Sequence, residues 1–260
     1  MVKVIGHRGV RQHPEIDENS AKAVEVAFKT AAGTEVDGAQ SRDKTVFLSH
    51  ETTQKYLPRA VSRSFYVFRE HLAAASAAIV GKRRIEQLTD KELAGLTLEK
   101  GGKVGRLSDV FSIAAQYPGK MINIEVKGEK AVEPIINEIN QAVAAGQVTK
   151  DQIILTSFNH PAILKAKEIA PDIRRGLIFS GSSRYDSRIF PWSGNKESRY
   201  IAFNEKALKS KLTQDAAPDF FVLRAAAVTG DNIELLHRHF PQGKVMFWTS
   251  NEKLPEQNDH

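Results

Sequence analysis

Two histidines and three carboxylates carry the chemistry of this chain. His7 closes the apolar run "VKVIG", His50 closes "VFLSH", Glu35 and Asp37 stand two apart in "TEVDG", and Glu125 lies within "INIEVKG". Residues two apart on a strand point to the same face, so Glu35 and Asp37 project together, and Glu125 holds a similar place on a later strand. Carboxylates converging at one place repel unless a counter-charge joins them. A divalent cation is the economical choice, and an all-oxygen ligand set favours Mg2+ or Ca2+ over zinc. Paired histidines can divide proton removal and proton donation near neutral pH. Arg8 and Lys127 add positive charge suited to a phosphoryl group, and Gly9 lets the backbone approach a ligand closely. Each feature alone has a plainer reading: acidic pairs are common at exposed strand ends, and a single histidine is more often structural. Their combination points to metal-assisted acid/base chemistry.

Parallel crossover units are what would bring such residues together. "VKVIG" reads as a buried strand. Ala21, Val24, Phe28 and Ala31 then fall at helical spacing before Gly33, and "TEVDG" reads as the next strand. The pattern returns with "KMINIEVKG", a helix marked by Val132, Ile135, Ile136, Ile139 and Val143, and "QIILTSF". Further strands are expected at "RRGLIF", "DFFVLR" and "KVMFWTS", with helices near 161–170, 205–212 and 232–240. "TVFLSH" follows "TEVDG" too closely for a parallel crossover and is expected to turn back as a hairpin or an extended loop. Arg199 to Phe203, "RYIAF", is the candidate for an eighth strand. Residues 52–103 interrupt the alternation and read as a small helical insertion within one domain spanning 1–260. In it "SFYVFREHLAAASAAIVG" looks helical, and "LTDKELAGLTLEK" looks like a short helix capped by Thr89 or Asp90. "SGSSRYDSRIFPWSGNKES" reads as a long loop.

With 260 residues and 41% hydrophobic composition the chain can bury one sizeable core. Its apolar runs are too short to span a membrane, and no signal-like leader opens it, so a soluble, cytoplasmic protein is expected. Absence of cysteine excludes disulfides and thiolate metal sites. A net charge of +6 favours anionic partners without choosing among them. The basic residues between Arg59 and Arg84 are dispersed and read as a solvated face. The aromatics Phe65, Tyr66 and Phe68 beside them are read as packing the insertion onto the barrel, with peripheral lipid contact as the other reading. "GGKVG" at Gly101 lacks the preceding strand and the Lys-Ser/Thr ending of a phosphate loop and reads as a turn. His13, His71, His160, His237 and His239 have no carboxylate at ligand spacing and are assigned to surface or loop.

In order and approximate spacing, "GHRG", "ENS", "EVD", "SH", "IEVK", "SF" and "WTSN" resemble the motifs of the glycerophosphodiester phosphodiesterases. The resemblance implies an α/β fold of TIM (β/α)8-barrel type. It implies His7 and His50 as catalytic acid and base, Glu35, Asp37 and Glu125 as ligands of one divalent cation, Mg2+ or Ca2+, and Arg8 and Lys127 as phosphate contacts. Phe158 and Trp248 would line the substrate cleft, and Glu18 and Asn19 would support the site. A small-molecule glycerophosphodiester would be cleaved to glycerol 3-phosphate and an alcohol, with no nucleic acid as partner. A lysophospholipase D or sphingomyelinase D type of phosphodiesterase uses similar residues, which makes a lysophospholipid the alternative substrate. A phosphate-binding protein without turnover is a second alternative. Three departures from the family pattern stand out. Glu51 replaces an aspartate after the second histidine. The Pro14-Glu15 pair precedes Glu18 by three residues. The family's last strand is not found after "WTSN", so either "RYIAF" supplies an eighth strand, or a neighbouring chain covers the gap, or the chain is truncated.

Overall fold

A computed structural model describes residues 2–50, 85–180 and 201–248. Seven strands form one sheet: β1 (Gly33–Gln40), β2 (Val46–Leu48), β3 (Met121–Val126), β4 (Ile153–Ser157), β5 (Arg174–Ile178), β6 (Phe220–Arg224) and β7 (Lys244–Trp248). Their order is β2-β1-β3-β4-β5-β6-β7, parallel from β1 through β7 except for the antiparallel edge strand β2. The expected hairpin at Val46–Leu48 is therefore present, with Gly38 opposite Leu48. Successive parallel strands joined through helices give a TIM-barrel-type α/β fold, although no hydrogen-bonded ladder closes the ring among the described residues.

The helices are α1 (Ala21–Thr30), α2 (Asp90–Ala94), α3 (Leu107–Ala114), α4 (Val132–Ala144), α5 (His160–Ile169), α6 (Glu205–Leu208), α7 (Lys211–Ala216) and α8 (Gly230–His239). Capping side chains set several starts: Ser20 accepts from the backbone of Ala23, Asn159 from Ala162 and Thr229 from Asn232. Thr89 caps α2 and forms a reciprocal box with Glu92, as its sequence suggested.

Alternation along the strands separates two environments. Val36, Ile122, Ile124, Leu155, Leu177, Phe221 and Leu223 point to the helices and pack with Val24, Phe28, Ile135 and Ile139 in the main core. Each such fully buried side chain contributes about 1.5–3 kcal/mol over an exposed one. Their neighbours in sequence point the other way, into the ring: Glu35 and Asp37 on β1, Asn123 and Glu125 on β3, Thr156 on β4, Arg224 on β6 and Trp248 on β7. The acidic residues thus follow from a face rule that operates along the whole sheet.

One expectation changes, and two others fall only partly within the described residues. "VKVIG" is not a buried strand: Val2 and Val4 are 58% and 49% exposed, and only Gly6 bridges to Thr34. The segment is paired on one side only, and Val2 and Val4 lie uncovered while Ile5 is half-buried. At the proposed eighth strand, Ile201–Phe203 contributes a single parallel bridge from Ala202 to Ser180, while Arg199 and Tyr200 lie outside the described residues. The insertion, of which residues 52–84 also lie outside, has a small apolar cluster of its own. Ile85, Leu88, Leu93, Leu96 and Leu98 pack on Ala39 and Phe47 and so cover the β1–β2 hairpin. The expected helix within 64–81, Glu51, the loop at 181–198 and the end of "WTSN" are likewise outside the described residues.

Candidate active site

The loop from His7 to Ser20 folds back over the end of β1, and its backbone is shaped for that purpose. Arg8, Gly9 and Asn19 adopt positive φ angles of 52°, 76° and 55°. At Gly9 no side chain fits, because a Cβ there would lie 2.5 Å from the backbone of Ala23 in α1. This conformation aims the amide of Arg8 at Glu35 Oε2, 2.8 Å away, and lets the amide of Asn19 donate to the Arg8 carbonyl at 2.9 Å. Asn19 also reads Asp37 twice, donating from Nδ2 to Oδ2 at 2.8 Å and accepting from the Asp37 amide at 3.1 Å. The supporting place expected for Asn19 thus has a concrete form. Asp17 ties the loop to the insertion by accepting from the amides of Lys100 and Gly102, both at 2.9 Å.

Parallel register sets Asp37 beside Glu125, and Glu35 beside Asn123. Glu35, Asp37 and Glu125 each offer a carboxylate oxygen within 4.8 Å of the others. Lys127 Nζ lies 2.6 Å from Asp37 Oδ1 and 2.5 Å from Glu125 Oε1. Arg8 reaches Glu18 at 2.6 Å and Asp37 at 3.3 Å. Arg8 and Lys127, expected to face phosphate, are buried and committed to carboxylates. Glu18 is held by Arg8 despite its displaced sequence position.

The electrostatics follow from this crowding. Burial, then the charges of Asp37 and Glu125, push the Glu35 carboxyl well above its usual range. Burial acts the same way on Asp37, yet Lys127, His50 and Arg8 overcome it and hold this carboxyl well below the usual range. Burial also opposes the charges of Arg8 and Lys127, but Asp37, with Glu18 for Arg8 and Glu125 for Lys127, keeps both firmly protonated. Four carboxylates meet two fixed cations, and Glu35 Oε1 is buried with no hydrogen-bond partner among the described residues. An orphaned buried acceptor in an all-oxygen cluster short of positive charge fits a hard divalent cation.

His7 Nε2 lies 3.8 Å from Glu35 Oε2; burial and the adjacent Arg8 lower its pKa to about 4. His50 follows Ser49, whose amide donates to the Asp37 carbonyl at 2.9 Å, and lies close enough to act on the Asp37 charge. Both histidines therefore join the acidic cluster. Across the ring Phe158 and Trp248 meet edge to face, 5.9 Å between centroids, and the Arg224 guanidinium stands 5.8 Å over the Trp248 ring.

Arg224 escaped the sequence reading. Its only signal is a charge ending the apolar run "DFFVL" on the inward parity. Asn123 escaped too, although it lies two residues before Glu125; it accepts from the Thr156 hydroxyl at 2.9 Å beneath the carboxylates. His160 corrects the assignment of that histidine to surface or loop. It is fully buried, with Nε2 3.0 Å from the Ile178 carbonyl and its ring against Phe179.

Residues 7–260 match the sequence model of the glycerophosphoryl diester phosphodiesterase family. The chain belongs to this family. It is accordingly a phosphoric diester hydrolase. A curated glycerophosphodiester phosphodiesterase of Caldanaerobacter subterraneus is 24% identical over 68% of this chain and 66% of its own length. A Bacillus subtilis protein, YqiK, is 26% identical over 69% of this chain and 68% of its own. Among solved structures, an Oleispira antarctica phosphodiesterase in complex with the product sn-glycerol-3-phosphate aligns with a TM-score of 0.64. It is 19% identical over 96% of this chain and 85% of its own. The Thermotoga maritima glycerophosphodiester phosphodiesterase aligns with a TM-score of 0.58 at 20% identity, over 97% and 87%. These likenesses in structure bear out the barrel-type fold.

Proposed function

We propose that this hydrolase cleaves glycerophosphodiesters to glycerol 3-phosphate and an alcohol with the help of one divalent cation, Mg2+ or Ca2+. The observation that carries the reading is the packing of Glu35, Asp37 and Glu125 within 4.8 Å, beside His7 and close to His50. Those three carboxylates would hold the cation, which when bound supplies charge to a phosphoryl oxygen and orients an oxygen nucleophile. His7 and His50 would divide the proton work: one takes the proton of the attacking glycerol hydroxyl, the other protonates the departing alcohol oxygen as its bond to phosphorus breaks, and water then opens the resulting cyclic phosphate to glycerol 3-phosphate. Arg8 and Lys127 hold the carboxylates in place through their ion pairs with Glu18, Asp37 and Glu125. Asn19 fixes the Asp37 rotamer from both sides. Phe158 and Trp248 form an apolar wall against which the alcohol arm lies.

Purified protein should release glycerol 3-phosphate from a panel of glycerophosphodiesters in Mg2+ or Ca2+ and lose that activity in chelator. His7→Ala and His50→Ala should each lower kcat by about 100-fold to 10,000-fold. A lysophospholipid in the same panel tests the lipid alternative through release of its head-group alcohol. Undiminished turnover in chelator, or in either histidine variant, would refute the assignment.

A further inference from the structure

We propose that Arg224 selects the alcohol arm of the substrate, favouring phosphodiesters whose alcohol carries a negative charge over those with a quaternary ammonium. The inference rests on the hydrolase reading of the carboxylate site and adds to it a substrate class. Alternation supplies the first argument. Phe221 and Leu223 of β6 belong to the core under the helices, so Arg224 shares the opposite, inward parity with Trp248, its register partner on β7. Both residues end their strands, as Glu125 nears the end of β3, so cation and carboxylates occupy one rim of the ring.

Exposure supplies the second argument. Arg8 and Lys127 sit within the carboxylate cluster beside Glu18, Asp37 and Glu125, and Arg224 at the end of β6 is exposed at the mouth. A diester seated at the carboxylates has one arm ending in glycerol, and its other arm leaves across the mouth toward β4, β6 and β7. There it meets Phe158, Trp248 and the Arg224 charge.

The tryptophan limits what can bind beside it. An indole face binds a quaternary ammonium by cation–π attraction. Here the Arg224 guanidinium stands 5.8 Å over that ring, so the place is taken and its charge repels a second cation. The indole Nε1 is also a buried donor without a hydrogen-bond partner among the described residues, and an acceptor oxygen is what it lacks. Guanidinium and indole N–H together favour carboxylate or phosphate oxygens on the alcohol.

The test is kcat/KM, with divalent metal present, for sn-glycerol 3-phosphodiesters of choline, glycerol, glyceric acid and glycerol phosphate. The wild-type chain should prefer the two anionic alcohols over choline by about tenfold or more, the strength of one charge contact in a solvent-facing mouth. The glycerate and glycerol phosphate arms separate a carboxylate from a second phosphate as the recognised group. Arg224→Gln should erase the preference through KM, leaving kcat within about twofold, and Arg224→Glu should invert it toward choline. Equal turnover of all four diesters by the wild-type chain overturns this inference and leaves the hydrolase reading standing. Turnover of none overturns both. A uniform loss on all four in Arg224→Gln would show that Arg224 only props Trp248, and would also overturn it.

Discussion

Replacing Lys127 by methionine tests how the carboxylate cluster is held together. The side chain keeps similar volume, but the ammonium 2.6 Å from Asp37 and 2.5 Å from Glu125 is gone. Asp37 and Glu125 then lose the cation they share, and Arg8 already serves Glu18 and Asp37. Breaking a buried ion pair by removing one partner costs about 3–5 kcal/mol, because the other charge stays buried and unmatched. Against a typical folding stability of about 5–15 kcal/mol that is a large fraction. Urea unfolding in chelator should therefore show Lys127→Met less stable by about 3–5 kcal/mol. A divalent cation at 100 times its dissociation constant stabilises a folded protein by about 2.7 kcal/mol. The variant has more uncompensated negative charge and should gain more than the wild-type chain, so Mg2+ or Ca2+ should narrow the gap. A gap in chelator below about 1 kcal/mol, or one that metal widens, would refute the account of Lys127 as the cluster's fixed counter-charge.

Two further predictions concern the scaffold. His160, pushed down to about 4 by burial although its bond to the Ile178 carbonyl opposes this, is neutral in the folded chain and titrates near 6.5 when unfolded. The unfolded state therefore binds more protons between those values, so stability present above pH 6.5 is lost as pH falls toward 4, by about 3 kcal/mol at most. Urea midpoints from pH 7 to 4.5 should fall less steeply in His160→Gln, and parallel profiles would count against the buried neutral imidazole. Gly9→Ala places a Cβ 2.5 Å from the Ala23 backbone at a φ of +76° and should cost about 2–4 kcal/mol. An unchanged thermal midpoint for that variant would contradict the tight approach of the loop to α1.

Much of the site was legible because its logic is local. Strand periodicity alone places Glu35 with Asp37, and the crossover pattern places Glu125 on the next parallel strand, where register then sets it against Asp37. The hairpin and the α2 cap were equally readable, since loop length and capping chemistry act over a few residues. Expectations that depended on what covers a segment were less secure. Val2 and Val4 look like core residues by composition, but burial requires a neighbour on the second side, and among the described residues none is there. His160 looked like a surface histidine because the carbonyl it bonds is 18 residues away and invisible to spacing rules.

By itself, then, the sequence determined the residue types, the shared face of Glu35 and Asp37, and the repeated strand–helix units that carry the family's motifs. Only the tertiary structure decided how the charges are spent. Arg8 and Lys127 were read as phosphate contacts because cations suit phosphate, yet folding brings them within ion-pair distance of three carboxylates, Glu18, Asp37 and Glu125. Charge pairing at short range in a buried site outweighs the attraction of a ligand still in solvent. Arg224, unremarkable in sequence, stands exposed on the same rim because strand parity turns it inward and register lays it against Trp248. Side-chain types are written in the chain, but which cation meets which anion depends on distances that the register of β1 against β3 and of β6 against β7 creates.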